Sequence, residues 1–331
     1  MGSTPLCGTS TPIMSSVTSR AAGAIVGSFI ADAACLPVHW MYDQDELAAA
    51  VSKYPTPEFI PEPAGPFYRL PTGKNSAYGD HLFALLKSVV DSNGFDREAY
   101  QKGLKAMFGP GSAYDYERSG RPVLGPWLPG TMKKFLANYE AGKENTGDTG
   151  SSDCDGVDNT VIMAALYGGT PELMSKVEDM VKVVQNNPLC LKYSTAAAKL
   201  LESYIVNGAD PSALEKIKPS VEAEVAQGIE KVLGDKNKPH NQASKEFGYA
   251  CSLPGNFLSA LHCLANADAQ KFTESVRPTL LAGGDNCSRA IFIGGCLGAQ
   301  LGLEGLPLDL LSKVERGSEV KALAEKLVAM R

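Results

Sequence analysis

The sequence predicts an all-helical protein, an orthogonal multi-helix bundle built around two central buried helices. Three observations carry that reading. Apolar residues recur at three- and four-residue steps through most of the chain. Period-2 alternation is almost absent. Two stretches, Ala21–Pro37 and Ala290–Pro307, carry small residues at four-residue spacing, Gly23/Gly27/Ala31 and Gly294/Gly298/Gly302. That spacing makes a smooth helix face against which a second backbone can approach closely.

The first seventeen residues are rich in Ser, Thr and Pro and read as a disordered tail. The Ala21–Pro37 helix follows, and Asp43 can cap another helix starting near Gln44. Tyr54–Thr72, with prolines at 55, 57, 61, 63, 66 and 71, reads as an irregular surface loop. Leu82, Leu85, Leu86, Val89 and Val90 mark an amphipathic helix that Asn93-Gly94 stops. Two further irregular loops are expected over Gly109–Gly130 and Gly142–Asp158. Thr170-Pro171-Glu172 places proline at a helix start, and Asn186-Asn187-Pro188 ends that helix. Helical patterns continue over Leu189–Val206, Val221–Leu233, Asn256–Leu264, Asp268–Leu281 and Leu308–Met330. No linker divides residues 18–331, which are expected to form one domain.

Composition excludes several function classes. The net charge is -6 and no Lys/Arg cluster occurs, which argues against a nucleic-acid partner. Apolar residues at 44% and charged residues at 21% are those of an ordinary globular protein. The most apolar stretches, Ala21–Val38 and Ala290–Leu303, fall short of ~20 predominantly apolar residues, so no membrane span is expected. Eight cysteines without a C-x-x-C pair, and no secretory signal, suggest reduced thiols in the cytoplasm. No P-loop, dinucleotide fingerprint, nucleophile elbow or zinc-ligand set is present. Asp153, Asp155 and Asp158 do not make a calcium loop, because Met163 stands where a Glu is needed. Carboxylate chemistry remains.

Four stretches concentrate reactive side chains. They are Ala31-Asp32 with Val38-His39-Trp40-Met41-Tyr42-Asp43, then Tyr78-Gly79-Asp80-His81, then Asp153–Asn159, and finally Gly283-Gly284-Asp285-Asn286-Cys287-Ser288-Arg289. In each, acids gather at a helix end, where oriented amides favour an anionic or hydroxyl-rich ligand. Each acid also has a plain structural role open to it. Asp80 and Asp285 suit an N-cap, and His39 and Trp40 suit the core.

These stretches, with the opening helix Gly23–Val38, resemble the ADP-ribosylglycohydrolase superfamily. Tyr78-Gly79-Asp80-His81 falls where that superfamily has a Thr-Asp-Asp-Thr metal motif, and Gly283–Ser288 falls where it has Gly-Gly-Asp-Thr-Asp-Thr. Val38–Asp43, Tyr78-Gly79-Asp80, Val184–Asn187 and Gly283–Asn286 are similar to the branch holding the jellyfish J-type lens crystallins and selenoprotein J. The resemblance implies that superfamily's helical bundle and hydrolysis of an N-glycosidic or related bond in an ADP-ribose-like or other small substrate. It also implies catalytic roles for Asp80, Asp285, His39, His81 and Cys287. Tyr78, Asp32, Trp40, Asn286, Ser288, Asp155, Gly156 and Asn186 would line the substrate site. Members of the superfamily hold two magnesium ions. Here Gly79 and Cys287 stand at acid positions, and Tyr78 and His81 replace threonines. Asp80 and Asp285 would therefore hold one weakly bound magnesium ion or none.

Two rival readings stand beside the hydrolase. One is a catalytically silent structural protein of the lens-crystallin type. The other is a small-molecule hydrolase unrelated to ADP-ribose. The expected partner is a small-molecule ligand, with the chain a monomer or homodimer. The five candidate catalytic residues are expected to meet in one pocket. Cys287, at a helix start beside Arg289, would have a lowered pKa and could act as a nucleophile.

Overall fold

Glycine decides the centre of the structure. In the computed structural model, which describes residues 15–331, the helices Val17–Cys35 and Asn286–Leu301 run antiparallel in the core. A Cβ added at Gly27 would overlap the Gly294 carbonyl and lie 3.3 Å from Gly298 Cα. One added at Gly23 would overlap the Gly298 carbonyl and lie 2.8 Å from Gly302 C. Backbone thus meets backbone along the whole seam, as the small-residue stripes require. Gly302 ends the second helix at φ +77°, a conformation that suits glycine.

Among the described residues there are sixteen α-helices. Helices Ala77–Asp91, Asp155–Tyr167, Pro188–Asn207, Gly255–Ala265, Phe272–Ala282 and Gly317–Val328 pack around the central pair. Within Val17–Val38 the most apolar eighteen-residue window has a mean hydropathy of 1.7 and is wholly buried inside the protein. It is therefore apolar enough and long enough for a membrane, contrary to the sequence-based expectation, yet it is used as a core helix.

Several boundaries differ from those expected. The first helix begins at Val17, inside the expected tail, with Ser16 accepting the Ser19 amide as its cap. Residues 1–14 of that tail lie outside the described residues. The Leu308–Met330 pattern splits into Leu308–Leu311 and Gly317–Val328. The helix after Thr170 starts at Leu173, so Pro171 lies in the preceding turn. Helices Arg97–Phe108, Gly130–Glu140 and His240–Phe247 were not anticipated, because their sequences are largely polar and bury only one narrow face.

The proline-rich segment is not a mere surface loop. Phe59, Ile60 and Tyr68 are buried, and Tyr68–Arg69 pairs in parallel with Val123–Leu124. This short pairing ties two of the long loops together beside the first helix's end. The third loop stops at Cys154, where the Asp155–Tyr167 helix starts. The cysteines among the described residues are all free.

Candidate functional site

Asp285 sits at the start of the second central helix, where its carboxylate makes no capping bond. It turns inward and accepts the Tyr78 hydroxyl at 3.0 Å. Gly283 and Gly284, both at positive φ, make that turn possible. Arg289 fixes the same loop from within. Its guanidinium, fully buried, donates to Thr279 Oγ1 at 3.0 Å, to the Tyr249 carbonyl at 2.9 Å and to the Gly283 carbonyl.

His39 faces this carboxyl from the end of the first helix. Its Nδ1 lies 2.9 Å from Asn286 Oδ1, and its Nε2 lies 3.6 Å from Asp285 Oδ1. Assigned from that network, Nδ1 carries the proton and Nε2 keeps its lone pair. Burial pushes the His39 pKa down to about 3, and burial pushes that of Asp285 up to about 7 against the opposing charge of Arg289. Both shifts disfavour an ion pair between the two, and at 3.6 Å the contact is too long for a hydrogen bond. Trp40 stacks on the imidazole with centroids 4.7 Å apart, and it holds φ +59°, a strained conformation for a bulky residue. Its amide donates to the Gly284 carbonyl at 2.9 Å, tying this turn to the Asp285 loop.

A second group of acids adjoins the first. Ser288 Oγ lies 2.6 Å from Cys154 Sγ and 3.4 Å from both Asp158 Oδ1 and Asn256 Oδ1. Asp155 accepts the Thr131 hydroxyl at 3.3 Å and lies 3.5 Å from His81 Nδ1. His81 Nε2 in turn meets the Tyr100 hydroxyl at 2.5 Å. Burial first, and then the neighbouring Asp155 and Asp285, push the Asp158 carboxyl well above the usual carboxylate range. Asp32 accepts Asn75 Nδ2 and the Ser76 amide at 2.8 and 2.9 Å, and burial raises its pKa to about 6. These groups have unpartnered buried atoms: one oxygen each on Asp32, Asp155, Asp158, Asp285 and Asn159, and one nitrogen each on His39 and His81. Buried polar atoms normally find partners, so such a concentration marks a place built to meet a polar group.

The five candidate catalytic residues do not all meet. His39 and Asp285 do. Asp80 points elsewhere, with Oδ1 accepting Arg316 Nη1 and Oδ2 accepting the Tyr114 hydroxyl, both at 2.7 Å. His81 joins Asp155. Cys287 touches the first group only through its backbone, whose amide lies 3.4 Å from His39 Nδ1. Its thiol faces the Asp32 carbonyl at 3.7 Å, and burial, followed by the Asp32 charge, raises its pKa well above the ordinary value. The expected thiolate is thus corrected: helix position and Arg289 do not offset complete burial.

Among the candidate substrate residues, Tyr78, Trp40, Asn286, Ser288, Asp155 and Asp32 lie in or against the two groups. Gly156 lies alongside, its amide donating to Gln185 Oε1 at 2.9 Å. Asn186 is only half-buried, and its amide serves the Asp148 carbonyl. Its neighbour Gln185, fully buried, is the residue that reaches inward. The sequence names Asp158 and Gln185 only within the Asp153–Asn159 and Val184–Asn187 stretches, without a site role, and does not single out Asn256 or Arg316. Asp158 had a signal, because it falls three residues after Asp155 and so shares its helix face.

The donor set does not fit a binuclear magnesium centre. A Cβ at Gly79 would overlap the Asp32 carboxylate and lie 2.8 Å from Asn75 Cβ, so no acid fits at that position without moving Asp32. Both Asp80 oxygens are already engaged. Among the described residues no three His, Cys, Asp or Glu side chains are gathered closely enough to hold an ion.

Comparison with known proteins shows where this arrangement belongs. Residues 14–331 match the ADP-ribosylglycohydrolase family profile. The chain belongs to the ADP-ribosylglycohydrolase family. It is 36% identical to Crystallin J1A of Tripedalia cystophora over 315 residues, covering 94% of this chain and 97% of that protein. It is 33% identical to Crystallin J1B of the same organism, covering 95% and 98%. A solved structure titled "ADP-ribosylglycohydrolase-related protein complex" shares the fold, with a TM-score of 0.67, 22% identity, and coverage of 95% of this chain and 98% of that one.

Proposed function

We propose that this family member hydrolyses a glycosidic bond in an ADP-ribose-like or other small substrate without a binuclear metal centre. The observation that carries the reading is the facing pair of Asp285 and His39, with Nε2 and Oδ1 both buried and unpartnered. An oxocarbenium-like transition state needs one proton delivered to the leaving group and one removed from water. Asp285, held by Tyr78, would give its proton to the leaving atom as the glycosidic bond breaks. His39 Nε2 would accept a hydrogen bond from the attacking water and orient it, and the Asp285 carboxylate left by the first step would take that water's proton as its oxygen forms the new bond to the sugar. The carboxyls of Asp155 and Asp158 would accept hydrogen bonds from sugar hydroxyls. A single weakly held magnesium ion, or none, would accompany this chemistry, and the protein would act in the cytoplasm as a monomer or homodimer.

A second reading rests on burial and kinship. Asp285, Asp158, Asp155 and His39 are at most 2% exposed, and the two curated relatives are crystallins. A structural protein needs its acids only as part of a packed core.

The experiment separating them incubates the protein with ADP-ribosylated arginine and serine peptides and measures released ADP-ribose by chromatography, with and without chelator. The hydrolase reading expects chelator-independent release that falls on the order of 10²-fold or more in Asp285→Asn. No release at stoichiometric protein, together with no thermal shift from ADP-ribose, would leave the structural reading standing.

A further inference from the structure

A cleft separate from the buried acids runs between the Ala77–Asp91 and Arg97–Phe108 helices. It has a volume of about 660 Å³ and an apolar floor that includes Phe83, Ala84 and Met107. At one end stand Asp80, Tyr114 and Arg316, and at the rim stand Lys87 and Lys102. We propose that this cleft binds a small organic anion, an aromatic or otherwise apolar body ending in a carboxylate, sulfonate or phosphate.

The polar atoms decide the sign of the ligand. Asp80 has both oxygens filled, by Arg316 Nη1 and by the Tyr114 hydroxyl. Tyr114 has spent its proton on that bond. Arg316, by contrast, donates through Nη1 alone among the described residues, and its guanidinium lies 4.7 Å over the Phe83 ring. Its remaining N–H groups present the fork geometry that suits an oxyanion. Ser88, on the cleft wall, has a buried hydroxyl with no partner. The rim lysines are held only by exposed i,i+4 pairs, Lys87 to Asp91 at 2.7 Å and Lys102 to Glu98 at 3.7 Å. Such pairs contribute little and open readily to a ligand. Asp91 also lines the cleft but is matched by Lys87, and Asp80 is matched by Arg316, so Lys102 leaves the lining one positive charge in excess, set against an apolar body of ligand-sized volume.

The ends of the cleft explain why a headgroup would stop at Arg316. The Asp80–Arg316 pair, with Ala113, is also a wall of a second cavity of about 110 Å³ that reaches Lys74, Asn75 and Pro126. It closes the larger cleft from the side where Asn75 bonds to Asp32. The ligand would thus sit on the far side of this ion pair from the buried acids, independent of any reaction there.

The test uses 1-anilinonaphthalene-8-sulfonate as the probe, titrated into the full-length protein and followed by fluorescence. Saturable binding of one probe per chain is expected, with the uncharged N-phenyl-1-naphthylamine binding roughly tenfold or more weakly. Ala106→Trp, which fills the cleft from its exposed wall, should remove both. Arg316→Gln should remove the preference for the sulfonate and leave the uncharged probe bound. If Arg316→Gln fails to fold by circular dichroism, Lys102→Glu on the exposed rim reads the same charge preference. Fluorescence that does not saturate, equal affinity for the two probes, or unchanged binding in Ala106→Trp would each overturn the proposal.

Discussion

Replacing Gly298 by Ala tests the seam on which the core depends. In an exposed helix this change stabilises by about 1 kcal/mol, because Gly loses more backbone freedom than Ala. At Gly298 the new Cβ would overlap the Gly23 carbonyl oxygen and lie 2.6 Å from Gly23 C and 3.2 Å from Ala24 N. All three are backbone atoms in a buried helix, so no side chain can swing away. The two central helices must separate, and overpacking of that kind costs about 1–3 kcal/mol. The clash opposes and outweighs the propensity gain, for a net loss of up to about 2 kcal/mol. Gly103 provides the control. It lies inside the Arg97–Phe108 helix, and its Cβ would meet only Ala84 O at 3.5 Å and Ser88 Cβ at 3.9 Å, ordinary contacts. Gly103→Ala should therefore stabilise by about 0.5–1 kcal/mol. Urea melts followed by helical circular dichroism measure both, and the same chemical change should move the midpoint in opposite directions. A Gly298→Ala protein as stable as the parent would refute the close approach.

Asp285→Asn gives a pH test. Between the ordinary 3.8 and about 7 only the folded state holds the Asp285 proton. Its contribution is thus full below about pH 4 and is lost as pH rises through about 7. Relative to Asp285→Asn, which stays neutral, the parent should lose on the order of 4 kcal/mol over that window. The comparison with the variant matters because His39, depressed to about 3, pulls the parent's own curve the other way below its ordinary 6.5. Parallel stability curves from pH 4 to 8 would show that the carboxyl is not held neutral. Chelator should leave the melting temperature unchanged, and elemental analysis finding two tightly held divalent ions per chain would contradict the donor geometry. Gly79→Asp, alone or with Cys287→Asp, should destabilise the protein and bring no magnesium-dependent thermal shift, because Asp32 and Asn75 already fill the space. A clear magnesium response in that double variant would show that Asp32 yields.

The fold was legible in the sequence because its main determinants are local or periodic. The three- and four-residue apolar spacing, the Asn93-Gly94 stop, and the matched stripes Gly23/Gly27 and Gly294/Gly298 state both the helices and the closeness of the central pair. Polar helices such as Arg97–Phe108 were not legible, since a narrow buried face leaves a weak pattern in the chain. The candidate site was half legible. Motif positions named His39, Tyr78, Asp285 and Asn286, and these do meet. Spacing could not say that consecutive residues of one helix turn diverge, Tyr78 to Asp285, Asp80 to Arg316 and His81 to Asp155. Residues on successive helix positions are about 100° apart, so each takes its partner from a different neighbour.

Charge states were decided by the tertiary structure alone. Cys287 beside Arg289 reads as a candidate thiolate, but desolvation dominates once both are buried and Arg289 turns to carbonyls and Thr279. The carboxyls of Asp285 and Asp158 are pushed above the usual carboxylate range because helices distant in sequence remove them from water and bring them near one another. A sequence specifies which groups can ionise. The distance between them and the depth of their burial arise only when the chain closes, and those two quantities set the electrostatic energy.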